Sequence, residues 1–200
     1  MTKDSDDRNY RFVRIAGFFG VLGTILPQIM VLSATALSSQ FRWDTNALSD
    51  LGVGEQAALF NGSLLLGGTL NFLFAIGLWR YLTMQRKTKA GIIALLLGSI
   101  SVALVGIFTI DSIILHSITA LGYFVLAPLG MILIGLGAEA GSVRKVSLTC
   151  GAAALMAIFI VPIVVFGFSL KVGFAVPEEM EVLIIAVWTL FMSSKLLRAR

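Results

Sequence analysis

The chain has 200 residues, of which 58% are hydrophobic and 13% are charged, and its mean hydropathy is +0.94. A soluble domain carries about 25% charged residues. This chain has too few charged residues to cover the surface of a soluble domain, so its composition predicts an integral membrane protein. The length predicts one membrane domain, residues 1–200. The single cysteine, Cys150, excludes an internal disulfide and a paired-cysteine metal site.

Six apolar segments follow one another along the chain, and roughly 20 apolar residues are needed to cross the bilayer as a helix. Five charge-free runs reach that length, and the sixth has only 13 uncharged residues, 182–194, so its flanking charges must extend toward the lipid head groups. The predicted fold is therefore an all-α bundle of six transmembrane helices after a polar cytoplasmic tail at residues 1–11. The predicted helices lie at about 12–40, 56–82, 90–110, 112–138, 146–169 and 179–198.

The basic residues predict the orientation of these helices. Thirteen of the 15 Lys and Arg residues fall on the side of the two termini, and only Arg42 and Lys171 fall on the other side. Acidic residues show the opposite bias, so one side has a net charge of +9 and the other −5. The positive-inside rule places both termini in the cytoplasm and predicts a multi-pass protein of the cell membrane. The first segment is 27 charge-free residues long, which exceeds a signal-peptide core and predicts an anchor.

Glycines within the predicted helices indicate close approach between helices. Gly17, Gly20 and Gly23 recur on helix one, and Gly137 and Gly141 form a G-x-x-x-G pair. These glycine-rich faces suit packing inside the bundle, and the alternative is that they mediate oligomerisation. Prolines inside helices one, four and five are expected to kink them; they are Pro27, Pro128 and Pro162.

Polar residues concentrate near the predicted outer face, at the ends of helices two to four. The segment 42–63 contains Ser49, Asp50 and Asn61, while Asp111 and His116 flank the start of helix four. Each has a structural interpretation. Asp111 could cap helix four and Asp50 a short turn, while Asn61 and His116 could form hydrogen bonds between helices or with neighbouring groups.

The functional interpretation is a pocket for a lipid head group or a metal, formed by Asp50, Asp111 and His116. One histidine and two carboxylates can bind zinc, but no H-x-x-x-H spacing is present, so zinc is the weaker expectation and no cofactor is predicted. Ser49 lacks a nucleophile-elbow pattern, which argues against a serine hydrolase.

The motifs "LSDLGVGEQAALFNGSLLLGGTLNFLFAIGLWRYL", "ALVGIFTIDS" and "HSITALGYFVLAPLGMILIG" occur in this order. In this the chain resembles domain-of-unknown-function family 998, a group of prokaryotic, mainly archaeal, six-helix membrane proteins. It is more distantly similar to the eukaryotic DRAM/Frag/Sfk family. The resemblance covers about residues 48–135, and the positions it points to are Ser49, Asp50, Gly52, Asn61, Gly106, Asp111 and His116. The first family implies no activity, and the second implies an association with lipids.

The leading hypothesis is a lipid-associated or scaffold-like membrane protein without enzymatic activity, whose outer polar cluster locks the helix ends or holds a head group. The alternative is an intramembrane lipid-modifying enzyme that uses Asp50, Asp111 and His116 as metal ligands or acid/base groups. An ion or proton transporter is less favoured, because the helix interiors are expected to carry no ionisable residue. The expected partners are membrane lipids, with no nucleic acid.

Overall fold

The computed structural model describes residues 3–82 and 85–199, and within them every regular element is helical. Six helices are long and apolar enough to cross a membrane, which confirms the predicted fold class. Two short 3₁₀ helices, Leu48–Gly52 and Ile110–Ser112, lie in the connections. The long helices are α1 (Lys3–Leu37), α2 (Ala57–Tyr81), α3 (Arg86–Val105), α4 (Ile113–Gly137), α5 (Ser142–Gly167) and α6 (Ala175–Leu197).

Several helices extend beyond the apolar runs that predict them. Helix α1 begins at Lys3, so most of the stretch predicted as a polar tail is helical, and α5 begins at Ser142. Helix α6 begins at Ala175, four residues before the predicted start, and Pro177 lies in its first turn, where proline is tolerated. A charge-free run finds only the part of a helix that lies in hydrocarbon. The charged first turns are therefore missed.

The six helices form a closed ring in chain order. Each helix packs against the next one in sequence, and α6 returns to pack against α1. Neighbours run in opposite directions: for example, Gly17 near the start of α1 faces Leu197 at the end of α6, whereas Gln28 further along α1 bonds Glu179 near the start of α6. We call the end that holds residues 38–56, 106–112 and 168–174 the acidic end, and the opposite end the basic end.

Two apolar clusters fill the bundle. The larger one includes Phe74, Met131 and Trp188 and joins α1, α2, α3, α4 and α6. The smaller one lies at the acidic end, where Leu48 and Leu51 of the first 3₁₀ helix pack on Phe60 of α2. The outward faces are apolar as well, as Ile114, Ile163 and many other large hydrophobic side chains are exposed. A bundle that is apolar both inside and outside is suited to a lipid environment.

Glycines bring the helix backbones close together within this one chain. A Cβ on Gly91 of α3 would lie 2.7 Å from the carbonyl oxygen of Gly130 on α4, and one on Gly130 would lie 2.8 Å from the carbonyl oxygen of Gly91. Gly17 and Gly20 face α6, and Gly23 faces α2. The predicted glycine faces of α1 are thus occupied by helices of the same chain, as in the packing interpretation.

The contact between α2 and α3 generates a stability prediction. A Cβ on Gly68 would lie 2.6 Å from the carbonyl oxygen of Ser99 and 2.7 Å from the Cβ of Ala103. These atoms belong to α3 and can move away only if that helix shifts. Gly68→Ala is therefore expected to lower the free energy of unfolding by about 1–3 kcal/mol. Thermal unfolding in detergent micelles measures the change.

The matched control is Gly62→Ala on the same helix, where a Cβ would meet only the Cε of Met30 at 3.7 Å. This variant is expected to be unchanged or more stable by up to ~1 kcal/mol, because alanine is the better helix former. Equal loss in both variants would contradict the proposed backbone contact.

Candidate functional site

The first 3₁₀ helix at the acidic end is closed by its own aspartate. Asp50 Oδ2 accepts hydrogen bonds from the backbone N–H of Ala47 at 3.0 Å and from Nδ2 of Asn46 at 2.8 Å. This is the arrangement of a capping carboxylate, which satisfies an amide that the helix itself leaves unpaired. Asp50 therefore stabilises the turn, in agreement with its structural interpretation.

Asn61 joins this 3₁₀ helix to α2. Its Nδ2 donates to the carbonyl oxygen of Gly52 at 2.9 Å. A Cβ on Gly52 would lie 2.9 Å from Asn61 Oδ1, so the glycine allows the amide to approach the backbone. The pairing gives a physical reason for a glycine and an asparagine at these two positions.

His116 performs a similar task at the start of α4. Its side chain is 8% exposed, and Nδ1 donates to the carbonyl oxygen of Phe108 at 2.8 Å, which ties the connection between α3 and α4 to α4 itself. Asp111 is exposed in the second 3₁₀ helix. The N-cap of α4 is Ser112, with no side-chain capping bond, so the interpretation of Asp111 as the cap of α4 is wrong.

The five predicted site residues share the acidic end, but they do not form one pocket. Ser49 and His116 line an internal cavity, Asp50 lines a separate and smaller pocket, and Asn61 and Asp111 line neither. Within residues 3–82 and 85–199, no group of three or more His, Cys, Asp or Glu side chains is arranged to hold a metal ion. The three residues considered for zinc are thus not brought together.

An exposed ion pair lies beside the first 3₁₀ helix. Arg42 donates to Asp44 from Nε at 3.1 Å and from Nη2 at 2.8 Å. These hydrogen bonds lower the pKa of Asp44 below its ordinary value and raise the pKa of Arg42. Because both side chains are exposed to solvent, the pair orders the loop and contributes little to stability.

The internal cavity has a volume of about 160 Å³ and lies in the half of the bundle nearest the acidic end. Helices α1, α2, α3, α4 and α6 line it, residues 48 and 49 of the first 3₁₀ helix cover it, and α5 contributes no lining residue. Most of the lining is apolar, with aromatic side chains from Phe60, Phe74, Tyr123, Phe124 and Trp188. Its polar lining residues include Gln28, Ser63, Asn71, Ser99, His116, Glu178, Glu179 and Thr189.

Three carboxylates in the first two turns of α6 are buried. Glu178, Glu179 and Glu181 are 7%, 8% and 0% exposed. The expectation that the charges flanking this segment extend toward the head groups is wrong for these three. They turn inward because α6 starts at Ala175 and is covered there by the first 3₁₀ helix.

Each carboxylate has different surroundings. Glu178 Oε2 accepts the backbone N–H of Leu48 at 2.6 Å, which fastens the first 3₁₀ helix to α6. Glu179 Oε1 accepts from Nε2 of Gln28 on α1, whereas its Oε2 has no hydrogen-bond partner among the described residues. Neither oxygen of Glu181 has such a partner. Glu178 and Glu179 line the cavity, and Glu181 does not.

A helical reading of α6 could have found this site. Glu178, Val182, Ile185 and Thr189 follow the i, i+4, i+7 and i+11 spacing of one helix face, and all four line the cavity. The charge-free run begins at Val182, after these glutamates, so it carries no information about the helix face on which they lie.

A family model described as "Protein of unknown function (DUF998)" matches residues 21–195, and the chain therefore belongs to this family. No curated protein matches the chain, and no solved structure matches it.

The two aspartates generate a first prediction for the acidic end. Asp50→Ala removes a carboxylate that accepts two hydrogen bonds and is expected to lower the free energy of unfolding by about 0.5–2 kcal/mol. Asp111→Ala, the control in the other 3₁₀ helix, is expected to leave thermal unfolding unchanged because Asp111 is exposed. A larger effect at Asp111 would contradict this assignment.

The contact between Glu178 and Leu48 generates a second prediction. Glu178→Gln keeps an acceptor for the Leu48 amide, whereas Glu178→Ala leaves that buried amide without one. The alanine variant is expected to be less stable than the glutamine variant by about 1–3 kcal/mol. Both variants remove the charge, so their difference in denaturation midpoint reports the hydrogen bond together with the packing of the side-chain carbons that alanine lacks. Identical midpoints would show that it contributes nothing.

Proposed function

We propose that this multi-pass membrane protein binds part of a membrane lipid in the cavity at its acidic end, without catalysing a reaction. The observation that carries the proposal is the cavity itself, which is mostly apolar and has its buried ionisable side chains, His116, Glu178 and Glu179, at the acidic end. That distribution suits a molecule with an apolar body and a polar head. Lipid binding is also the basis on which the protein could act as a scaffold in the membrane.

The size of the cavity limits what it can hold. Its volume of about 160 Å³ is close to the ~150 Å³ of an apolar protein cavity that accommodates benzene. An entire lipid is far larger, so the cavity suits a head group with its adjoining carbons. The lining residues Ala120 and Phe124 of α4 and Val182 and Ala186 of α6 are half-buried. This supports a route on the side of α4 and α6 for the remainder of the lipid.

The proposed orientation follows from charge. Thirteen of the 15 Lys and Arg residues lie on the side of the two termini. This asymmetry supports cytoplasmic termini in the cell membrane and a cavity in the outer leaflet.

The contacts at the acidic end favour binding over the enzymatic alternative. Asp50 Oδ2 accepts an amide of its own turn, and His116 Nδ1 donates to a backbone carbonyl. Atoms engaged in this way maintain the fold and are poorly placed to transfer protons to a substrate. The observation supports a protein whose polar residues hold the cavity in shape.

Filling the cavity tests the proposal. Ala186→Phe places a ring at a lining position, while the control Ala152→Phe places the same ring on an exposed position of α5. Lipid that co-purifies with the protein in a mild nonionic detergent is quantified by native mass spectrometry. A several-fold loss of bound lipid is expected only for Ala186→Phe, because only that ring competes for the cavity.

Thermal unfolding of both variants verifies that they are folded. Equal lipid occupancy in wild type, Ala186→Phe and Ala152→Phe would contradict binding in the cavity.

A further inference from the structure

We propose that the group bound in the cavity is an organic ammonium cation, with the carboxylate of Glu179 as its counter-charge. This inference rests on the proposed function and names the chemistry of the ligand. The ammonium could belong to a lipid head group or to a free amphiphilic amine, and both present the same cation to the site.

Glu179 supplies the first observation. Its side chain is more than nine-tenths buried and lines the cavity. One of its oxygens accepts from Gln28, and the other has no partner among the described residues. A buried carboxylate oxygen without a partner is unfavourable, and charge-assisted contacts are the ones that offset its desolvation best. The unpartnered oxygen thus favours a cationic group in the cavity.

The charges around the cavity supply the second observation. Glu178 and Glu179 line it, Glu181 is buried one turn away on the same helix, and no lysine or arginine is among the lining residues. The only lining histidine, His116, already donates from Nδ1 to Phe108. An anionic group would meet like charge with no balancing base, whereas a cation would reduce the repulsion between the carboxylates.

The apolar lining separates an organic ammonium from a metal ion. A metal such as Ca²⁺ takes six to eight oxygen ligands and Mg²⁺ requires a near-octahedral set, and the walls here are mostly carbon. Tyr123 and Phe124 provide aromatic surface of the kind that attracts ammonium groups and accommodates their methyl groups. The cavity volume of about 160 Å³ suits a trimethylammonium group with a few further carbons.

A pair of probes with the same shape tests the charge. Choline and its neutral carbon analogue 3,3-dimethylbutan-1-ol, each close to benzene in size, are titrated by calorimetry into the 200-residue protein in nonionic detergent micelles. The cavity-filled variant Ala186→Phe provides the blank for partitioning into the micelle. Wild type is expected to bind the ammonium roughly tenfold more tightly than the neutral analogue, the ratio given by a desolvated cation beside a carboxylate and aromatic rings.

Variants assign the effect to one residue. Glu179→Gln is expected to bring the affinity ratio close to one while 3,3-dimethylbutan-1-ol still binds. Glu55→Gln, which removes an exposed carboxylate at the same end, is expected to keep the wild-type ratio. The wild-type comparison needs no substitution, so it remains decisive if Glu179→Gln does not fold.

The outcomes separate this inference from the proposed function. Equal affinity of wild type for both probes would overturn the ammonium site and leave lipid binding standing. Failure of both probes to bind, together with no co-purified lipid, would overturn both proposals.

Reconstitution in equal amounts of phosphatidylcholine and phosphatidylglycerol shows whether the bound ammonium belongs to a lipid head group or to a free amphiphilic amine. Enrichment of phosphatidylcholine after detergent extraction supports a lipid head group. Equal recovery with tight binding of the ammonium probe supports a free amine. Enrichment of the anionic lipid would overturn the site.

Discussion

The acidic end depends on one constraint: a backbone polar group that is buried near lipid must find its partner within the chain. The connections there are irregular, so their amides and carbonyls are not satisfied by long helices. Polar side chains supply the partners instead. Asp50 accepts the amide of Ala47, Asn61 donates to the carbonyl of Gly52, and Glu178 accepts the amide of Leu48. These contacts hold the first 3₁₀ helix over the bundle and give the cavity its cover.

The ring of helices explains why a cavity exists beneath that cover. Toward the basic end, large side chains such as Met131, Met192 and Leu196 are fully buried and fill the interior. Close contacts at glycines, as between Gly91 and Gly130, fix the helix spacing along the ring. Toward the acidic end the same ring encloses small lining residues, including Ser63, Gly67 and Ala120, which leave open volume. The cavity thus lies where small side chains of the ring face the interior.

The carboxylates of α6 differ from the other polar groups of this end because not all of their hydrogen-bonding capacity is used. Glu178 accepts a backbone amide, and Glu179 accepts a side-chain amide with one of its two oxygens. Glu181 has no hydrogen-bond partner among the described residues. Groups that only maintain a fold are generally satisfied within it. The unpartnered oxygen of Glu179 belongs to a residue that lines the cavity, whereas Glu181 does not line it. For this reason the proposed ligand chemistry is centred on Glu179 and not on Asp111, which lies exposed outside the cavity.

The amino-acid sequence by itself determined the membrane class, the six helices and the location of Asp50, Asn61, Asp111 and His116 at one end. The length of apolar runs and the charge of the segments between them are local properties, so they can be read along the chain without knowledge of its tertiary contacts. Only the tertiary structure decided what these groups contact. It separated Asp111 from the others, assigned the glycines of α1 to packing within the chain, and turned Glu178, Glu179 and Glu181 inward. A carboxylate near a helix end can extend to the surface or be buried, and the neighbours that decide between these positions, Gln28 and Leu48, lie more than 100 residues away in the chain.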